Sequence, residues 1–212
     1  MTERATTGGL LDEPRMYGLL RGIVDPVRIA PMRRLLGRVP HASLLDLGCG
    51  IGDLCGMTPA TYTGVDASTT RIAYARRHYG IPGRRFEAGD ALALDASLGH
   101  HDVVALINVV HHFSDEEVRR CLDGLKVVTP ARLFLVDVAL ERTGWLFRRV
   151  FAPLDRGRYF RTTADLKGLL GSAGWAIEWE DRCVTAVGIY PYSVLMAKAP
   201  SAKAPSARAP VS

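Results

Sequence analysis

"LLDLGCGIGD", running from Leu44 to Asp53, decides how the rest of the chain is read. Three leucines and an aspartate form a short strand-like run, and glycines follow at every second position: Gly48, Gly50 and Gly52. Glycine weakens a strand and loses the most backbone entropy on folding. A chain accepts that cost where its backbone must turn sharply or let a ligand come close.

Strand and helix patterns alternate outward from this stretch. A strand is expected over Tyr62–Val65, then a helix over Ser68–Tyr79 closed by Gly80. Short strands fit Arg85–Glu87 and Asp102–Ile107. "SDEE" then pairs Ser114 with Glu117 as a capping box, and Val118, Cys121, Leu122 and Leu125 follow at helical spacing. "RLFLVDVAL" (132–140) reads as a buried strand. Thr162 and Asp165 cap a further helix with Leu166, Leu169 and Leu170 as its stripe and Gly174 as its stop. Two last strands, Ala176–Val184 and Ser193–Ala199, have no helical pattern between them and should form a hairpin.

The predicted fold is α/β: a doubly wound, Rossmann-like, mainly parallel seven-stranded sheet whose last strand is antiparallel. One domain is expected over residues 1–196. It comprises an N-terminal helical lid (1–40) and a core (41–196) with a cap segment (141–161). Residues 197–212, "AKAPSAKAPSARAP" and its end, hold the end of the last strand and then a five-residue repeat without large apolar side chains that should be disordered.

Composition narrows the function. The chain has 212 residues, 48% hydrophobic and 23% charged, which suits one globular domain. Of its net +5 charge, Lys198, Lys203 and Arg208 lie in the tail, which leaves +2 for the body. That weak balance argues against a nucleic-acid partner. Cys49, Cys55, Cys121 and Cys183 show no metal-binding spacing and read as reduced thiols of a cytoplasmic protein with no metal. No run is long enough for stable membrane insertion.

In an open α/β sheet, ligands bind beyond the carboxyl ends of the strands. Gly48 and Gly50 are expected to bring backbone amides within reach of such a ligand. Asp66 stands 20 residues beyond Asp46, at the end of the second strand, where a carboxylate accepts ribose hydroxyls. A dinucleotide needs a third glycine three residues after Gly50, and Asp53 stands there instead. A carboxylate beside a pyrophosphate is repulsive, so a phosphate-free, cationic nucleoside such as S-adenosylmethionine fits better.

"LLDLGCGIG", "YTGVDAS", "FEAGDAL" and "HDVVALINVVHHFSDEEV" occur in that order. Together they resemble the motif series of class I S-adenosylmethionine-dependent methyltransferases, over roughly residues 40–199. The resemblance implies S-adenosylmethionine as cofactor, with Gly48 and Gly50 by its methionine part and Asp66 on the ribose. It implies Asp90 and Ala91 by the adenine, and Asp46 and Asn108 lining the same cleft. The short stretch from Gly52 to Tyr62, which contains Pro59, departs from the family and implies a stunted first helix.

Methyl transfer needs an acceptor aligned with the methyl group, and a hydroxyl acceptor also gains from a general base. His111 and His112, just past the fourth strand, are the candidate bases, His111 ahead. The Asp/Asn-Pro-Pro-aromatic and Pro-Cys signatures of nucleic-acid enzymes are missing after that strand, so a small-molecule acceptor, methylated at oxygen, is expected. The segment "ERTGWLFRRVFAPLDRGRYFRT" (141–162) mixes aromatics with six arginines. It would cover the acceptor, with Arg156, Arg158 and Arg161 gripping an anionic or aromatic one. Two other readings stay open: a nucleic-acid or protein methyltransferase anchored by the tail, and an inactive cofactor-binding regulator. The sequence gives no oligomeric state.

Overall fold

Each central strand splits its side chains between two cores, as the period-2 pleat requires. In the computed structural model, which describes residues 31–57, 61–128, 130–154, 157–184 and 190–199, β1 spans Ser43–Leu47. Its Leu44 joins one buried cluster, and Leu45 and Leu47 join the other. The elements that follow are β2 (Thr61–Asp66), α1 (Thr69–Tyr79), β3 (Arg84–Ala88) and β4 (Val103–Ile107). After them come α2 (Asp115–Val128), β5 (Arg132–Val138), α3 (Thr163–Ser172), β6 (Ala176–Val184) and β7 (Pro191–Lys198).

The seven strands form one sheet in the order β3-β2-β1-β4-β5-β7-β6. The first five run parallel, and β7 runs antiparallel to both β5 and β6. Ile72 and Ala75 of α1 pack on one face, beside Met32, Leu35 and Leu36 of the helical residues 31–36. The stripes of α2 and α3 pack on the other face. The sheet is therefore doubly wound, and its switch point lies between β1 and β4.

The helix grammar of the sequence is realised in detail. Ser68 caps α1, with its hydroxyl accepting from the Arg71 amide. Ser114 and Glu117 exchange bonds at the start of α2. Thr162 and Asp165 form a full capping box on α3, and Gly174 follows at φ +84°. The fifth strand stops at Val138, two residues short of the expected end, because Leu140–Arg142 winds into a 3-10 turn. In place of a first crossover helix there is one 3-10 turn, Asp53–Met57. Residues 1–30 of the expected lid, Pro59 and the tail from 200 lie outside the described residues.

Candidate functional site

The glycine loop follows β1 on the cleft side of the sheet. Gly48, Gly50 and Gly52 all have left-handed backbones, φ +79°, +58° and +83°. Only glycine adopts these without strain. Space demands it too. A Cβ on Gly48 would collide with the side chain of Val109, and one on Gly52 would lie 2.7 Å from the Phe86 ring.

The loop amides do not serve as expected. Gly48 and Cys49 both donate to the Val65 carbonyl, at 2.7 and 3.0 Å, and Gly52 donates to Cys49. Gly50 donates to Asp66 Oδ2 at 2.9 Å. These four amides are spent inside the chain, so they form no anion-binding nest.

Asp66 is buried at the end of β2. Its second oxygen accepts from the Ser68 amide at 2.9 Å, so the carboxylate is fixed from both sides. Each oxygen keeps a lone pair for a ligand hydroxyl. Asp46, also buried, accepts from the Tyr62 hydroxyl at 2.6 Å. Burial and the Asp46 charge push the Tyr62 phenol well above its ordinary pKa, so it stays a donor. Burial, with Asp46 next, likewise pushes up the Cys49 thiol, which rules it out as a nucleophile.

Asp90 is exposed and accepts from the Leu92 amide at 2.9 Å, a turn-forming contact, with Ala91 half-buried beside it. Asn108 ends β4 at φ +58°, the one positive φ of a non-glycine among the described residues. Its Nδ2 donates to the Tyr192 hydroxyl at 3.4 Å, and its Oδ1 is buried with no partner among the described residues.

The two histidines differ sharply. His112 is exposed, whereas His111 is 2% exposed. His111 Nδ1 lies 2.6 Å from Asp137 Oδ1, and its backbone N–H donates to Asp137 Oδ2 at 3.1 Å. The ring stacks on Phe160 with centroids 5.1 Å apart, and its carbonyl accepts from the Arg158 and Tyr159 amides. Gly157 is narrow for this reason, since a Cβ there would lie 2.5 Å from His111 Cδ2.

The three arginines part company as well. Arg161 is 7% exposed. Its guanidinium binds Asp115 Oδ1 and the carbonyls of Val110, Phe113 and Tyr159 at 2.7–3.0 Å. It fastens the cap to the histidine turn and has no free edge for an acceptor. Arg158 is exposed, and Arg156 lies outside the described residues. Beyond Phe160 the rings continue through Phe147, Tyr190 and Tyr192, each 5.2–6.3 Å from the next, back to Asn108.

Sequence reasoning missed Asp137, Tyr62 and Tyr192. Asp137 had a signal, a carboxylate inside the apolar run "RLFLVDVAL". The two tyrosines had none, because strand tyrosines are common in cores.

A family model described as "Methyltransferase domain" matches residues 44–130. The chain is 40% identical over 135 residues to a ubiquinone biosynthesis O-methyltransferase of Brucella anthropi, over 56% of this chain and 54% of that one. It is 31% identical over 104 residues to a fatty-acid O-methyltransferase of Mycolicibacterium smegmatis, over 47% of this chain and 38% of that one. The chain thus spans about half the length, or less, of these relatives. Among solved structures, magnesium protoporphyrin IX methyltransferase of Synechocystis, with bound S-adenosylhomocysteine, superposes with TM-score 0.67 at 21% identity. That match covers 89% of this chain and 95% of that one. Human N-acetylserotonin methyltransferase superposes with TM-score 0.68 at 17% identity, over 95% and 61%. Residues 44–130 thus match a methyltransferase domain, and the sheet that surrounds them has the fold of these solved methyltransferases.

Proposed function

We propose that the protein transfers a methyl group from S-adenosylmethionine to a hydroxyl oxygen of a small organic acceptor. The observation that carries the reading is the pairing of a fixed ribose-type carboxylate, Asp66, with a glycine loop whose amides are already spent. A pyrophosphate would find the amides of Gly48, Cys49, Gly50 and Gly52 already engaged, and Asp53 would repel it. A nucleoside without phosphate fits, and a cationic centre suits the buried Asp46 carboxylate.

When bound, S-adenosylmethionine supplies an electrophilic methyl group on a sulfonium. The residues around it have three tasks. Asp66 holds the ribose hydroxyls, and Gly48 and Gly50 let the loop lie close to the methionine part. Asp90 and Ala91 border the adenine, and Asp46 and Asn108 line the cleft. His111, held by Asp137, takes the acceptor proton on Nε2, because a proton on Nδ1 directed at Asp137 leaves the basic lone pair there.

His111 lies beneath Gly157 and Phe160, so an acceptor reaches it only when this part of the cap moves aside. The aromatic series from Phe160 to Tyr192 supplies a wall for a flat or apolar acceptor, and exposed Arg158 suits an anionic group on it. Both relatives are named O-methyltransferases, one of ubiquinone biosynthesis and one of fatty acids, which supports oxygen as the target. A cytoplasmic location goes with four cysteines that form no disulfide. The burial of His111 favours a second reading, in which it is only a strut and the acceptor is a neutral amine that needs no base.

The test incubates the full chain with methyl-labelled S-adenosylmethionine and fractionated small-molecule extracts, and follows mass shifts. A labelled hydroxyl compound supports the reading. Label in an amine would favour the second reading, and label only in nucleic acid or protein would overturn both.

A further inference from the structure

The cap displays an apolar face that the methyl-transfer site does not use. Seven large hydrophobic residues are exposed among the described residues, and four of them, Trp145, Leu146, Val150 and Tyr159, lie in or beside this one segment. The other three, Ile81, Val127 and Val184, are scattered on separate elements. Scattered exposure is ordinary, whereas clustering is not. Trp145 is the extreme case, at 73%.

The local helix explains the clustering. Residues 145–154 are helical, with a π turn over Phe147–Phe151 in which the Ala152 amide donates to the Phe147 carbonyl. In such an i→i+5 turn, Trp145 and Leu146 lie one turn from Val150. Phe147 turns the other way, is 1% exposed, and packs edge-on against Phe160 and Tyr190. It anchors the cap, so the outward residues are not needed to hold it.

The charged residues within this stretch have one sign. From Arg142 to Leu154 there is no acidic residue. Arg148 turns back to Thr143 and the Leu140 carbonyl. Arg142 and Arg149 are exposed and make no side-chain hydrogen bond to another described residue. A tryptophan at the tip, aliphatic neighbours and flanking guanidiniums suit the boundary of a bilayer. There the indole settles at headgroup level while arginine keeps its charge among anionic lipids. No helix among the described residues is long and apolar enough to cross a membrane, so the contact is peripheral.

We propose that the outward face of the cap, Trp145, Leu146 and Val150 flanked by Arg142 and Arg149, docks the protein on an anionic lipid surface. The surface itself stands on exposure and charge. It rests on the methyl-transfer reading only for its purpose, which is to bring a lipophilic acceptor to the cleft that the cap covers.

The experiment sediments the full chain with vesicles of phosphatidylcholine alone and of phosphatidylcholine mixed with an equal part of phosphatidylglycerol. Binding is expected to the mixed vesicles, and to be released by high salt. Emission should shift to the blue through Trp145, because Trp175 is already buried and Trp179, on β6, packs against the core beside Phe134. The double substitution Trp145→Ser, Leu146→Ser should lower the partition by roughly tenfold or more, while Val127→Ser, on α2, leaves it unchanged.

Equal sedimentation of wild type and double variant would overturn the proposal, as would loss of binding only on deletion of the basic residues 200–212. A self-associating wild type that becomes monomeric in the double variant, with no vesicle binding by either, would assign the face to a second copy of the chain and overturn it too. Binding of S-adenosylhomocysteine, measured on the same variants, reads the cleft separately. Its loss in wild type would sink the methyl-transfer reading and leave docking standing.

Discussion

Asp137 holds His111 at two points, the ring at 2.6 Å and the backbone N–H at 3.1 Å, one carboxylate oxygen to each. The backbone contact fixes the turn and the ring contact fixes the tautomer. Because β5 presents Asp137 at its cleft end and β4 delivers His111 from the neighbouring strand, the pair is a product of parallel register. Asn in place of Asp137 would keep the shape but remove the charge that supports an imidazolium. Asp137→Asn is expected to lower turnover by about 100-fold or more, with S-adenosylhomocysteine affinity little changed. His112→Ala should be near wild type, since His112 is exposed. Rapid-quench turnover of the three proteins checks this, and full activity of Asp137→Asn would leave positioning as the mechanism.

Asp66 joins the glycine loop to the start of α1 and offers its remaining lone pairs to the cleft. Asp66→Ala should weaken S-adenosylhomocysteine by about 1.5–3 kcal/mol, the usual range for hydrogen bonds to a charged group. Calorimetry on the folded variant measures it, with Asp90→Ala as comparison. Asp90 is exposed and makes a local turn, so its loss should cost less. The reverse ranking would move the ribose site.

Gly48 and Gly83 have nearly the same backbone, φ +79° and +84°, but different surroundings. A Cβ on Gly83 meets open space, and one on Gly48 meets Val109. Gly83→Ala should therefore cost only the left-handed strain, about 1 kcal/mol, and Gly48→Ala about 2 kcal/mol more. Adding Val109→Ala to Gly48→Ala should recover part of the difference. Urea denaturation of the set decides, and equal losses at the two glycines would remove the packing argument.

The succession of strands and helices, the doubly wound layers and the capping boxes were legible because each depends on short-range signals: apolar runs, helical spacing, Ser or Thr with an acid three residues on. The glycine positions were legible for the right reason, a sharp turn and a close approach. Sequence does not show that the Val65 carbonyl and Asp66 take up the amides of Gly48, Cys49 and Gly50. The partners of His111 and Arg161 were hidden for a related reason. Asp137 is 26 residues away and Asp115 is 46, and only the sheet register and the cap fold bring them together. Residue type gave the chemistry of Arg158 and Arg161 equally, and burial alone separates them.

Arg158 and Arg161 therefore predict opposite phenotypes. Arg158→Ala should leave stability unchanged and raise the Michaelis constant for an anionic acceptor, the mark of lost uniform binding. Arg161→Ala removes contacts to three carbonyls and Asp115, and should destabilise the fold by at least about 2 kcal/mol. Thermal denaturation and steady-state kinetics on both variants test the split. A stable Arg161→Ala protein with a raised Michaelis constant would return that residue to the acceptor.

His101 gives the fold a pH dependence remote from the cleft. It is 8% exposed, its Nε2 lies 2.9 Å from the Leu98 carbonyl, and its Nδ1 is buried with no partner among the described residues. Burial, aided by Arg85, holds its pKa below the ordinary 6.5, although the Leu98 contact pulls the other way. A second proton would place a charge and an unsatisfied N–H in the interior. The unfolded chain takes up that proton near pH 6.5, while the folded chain resists until a lower pH. The stabilisation from a neutral His101 is therefore complete above about pH 6.5 and is lost as the pH falls from there through the lowered folded value. His101→Gln keeps a donor for Leu98 and removes the titration. Urea midpoints of wild type should fall between about pH 7 and pH 5, above the range where most carboxylates titrate. Those of His101→Gln should fall less, with every other histidine common to both proteins. Parallel slopes in the two would assign the pH dependence to another group.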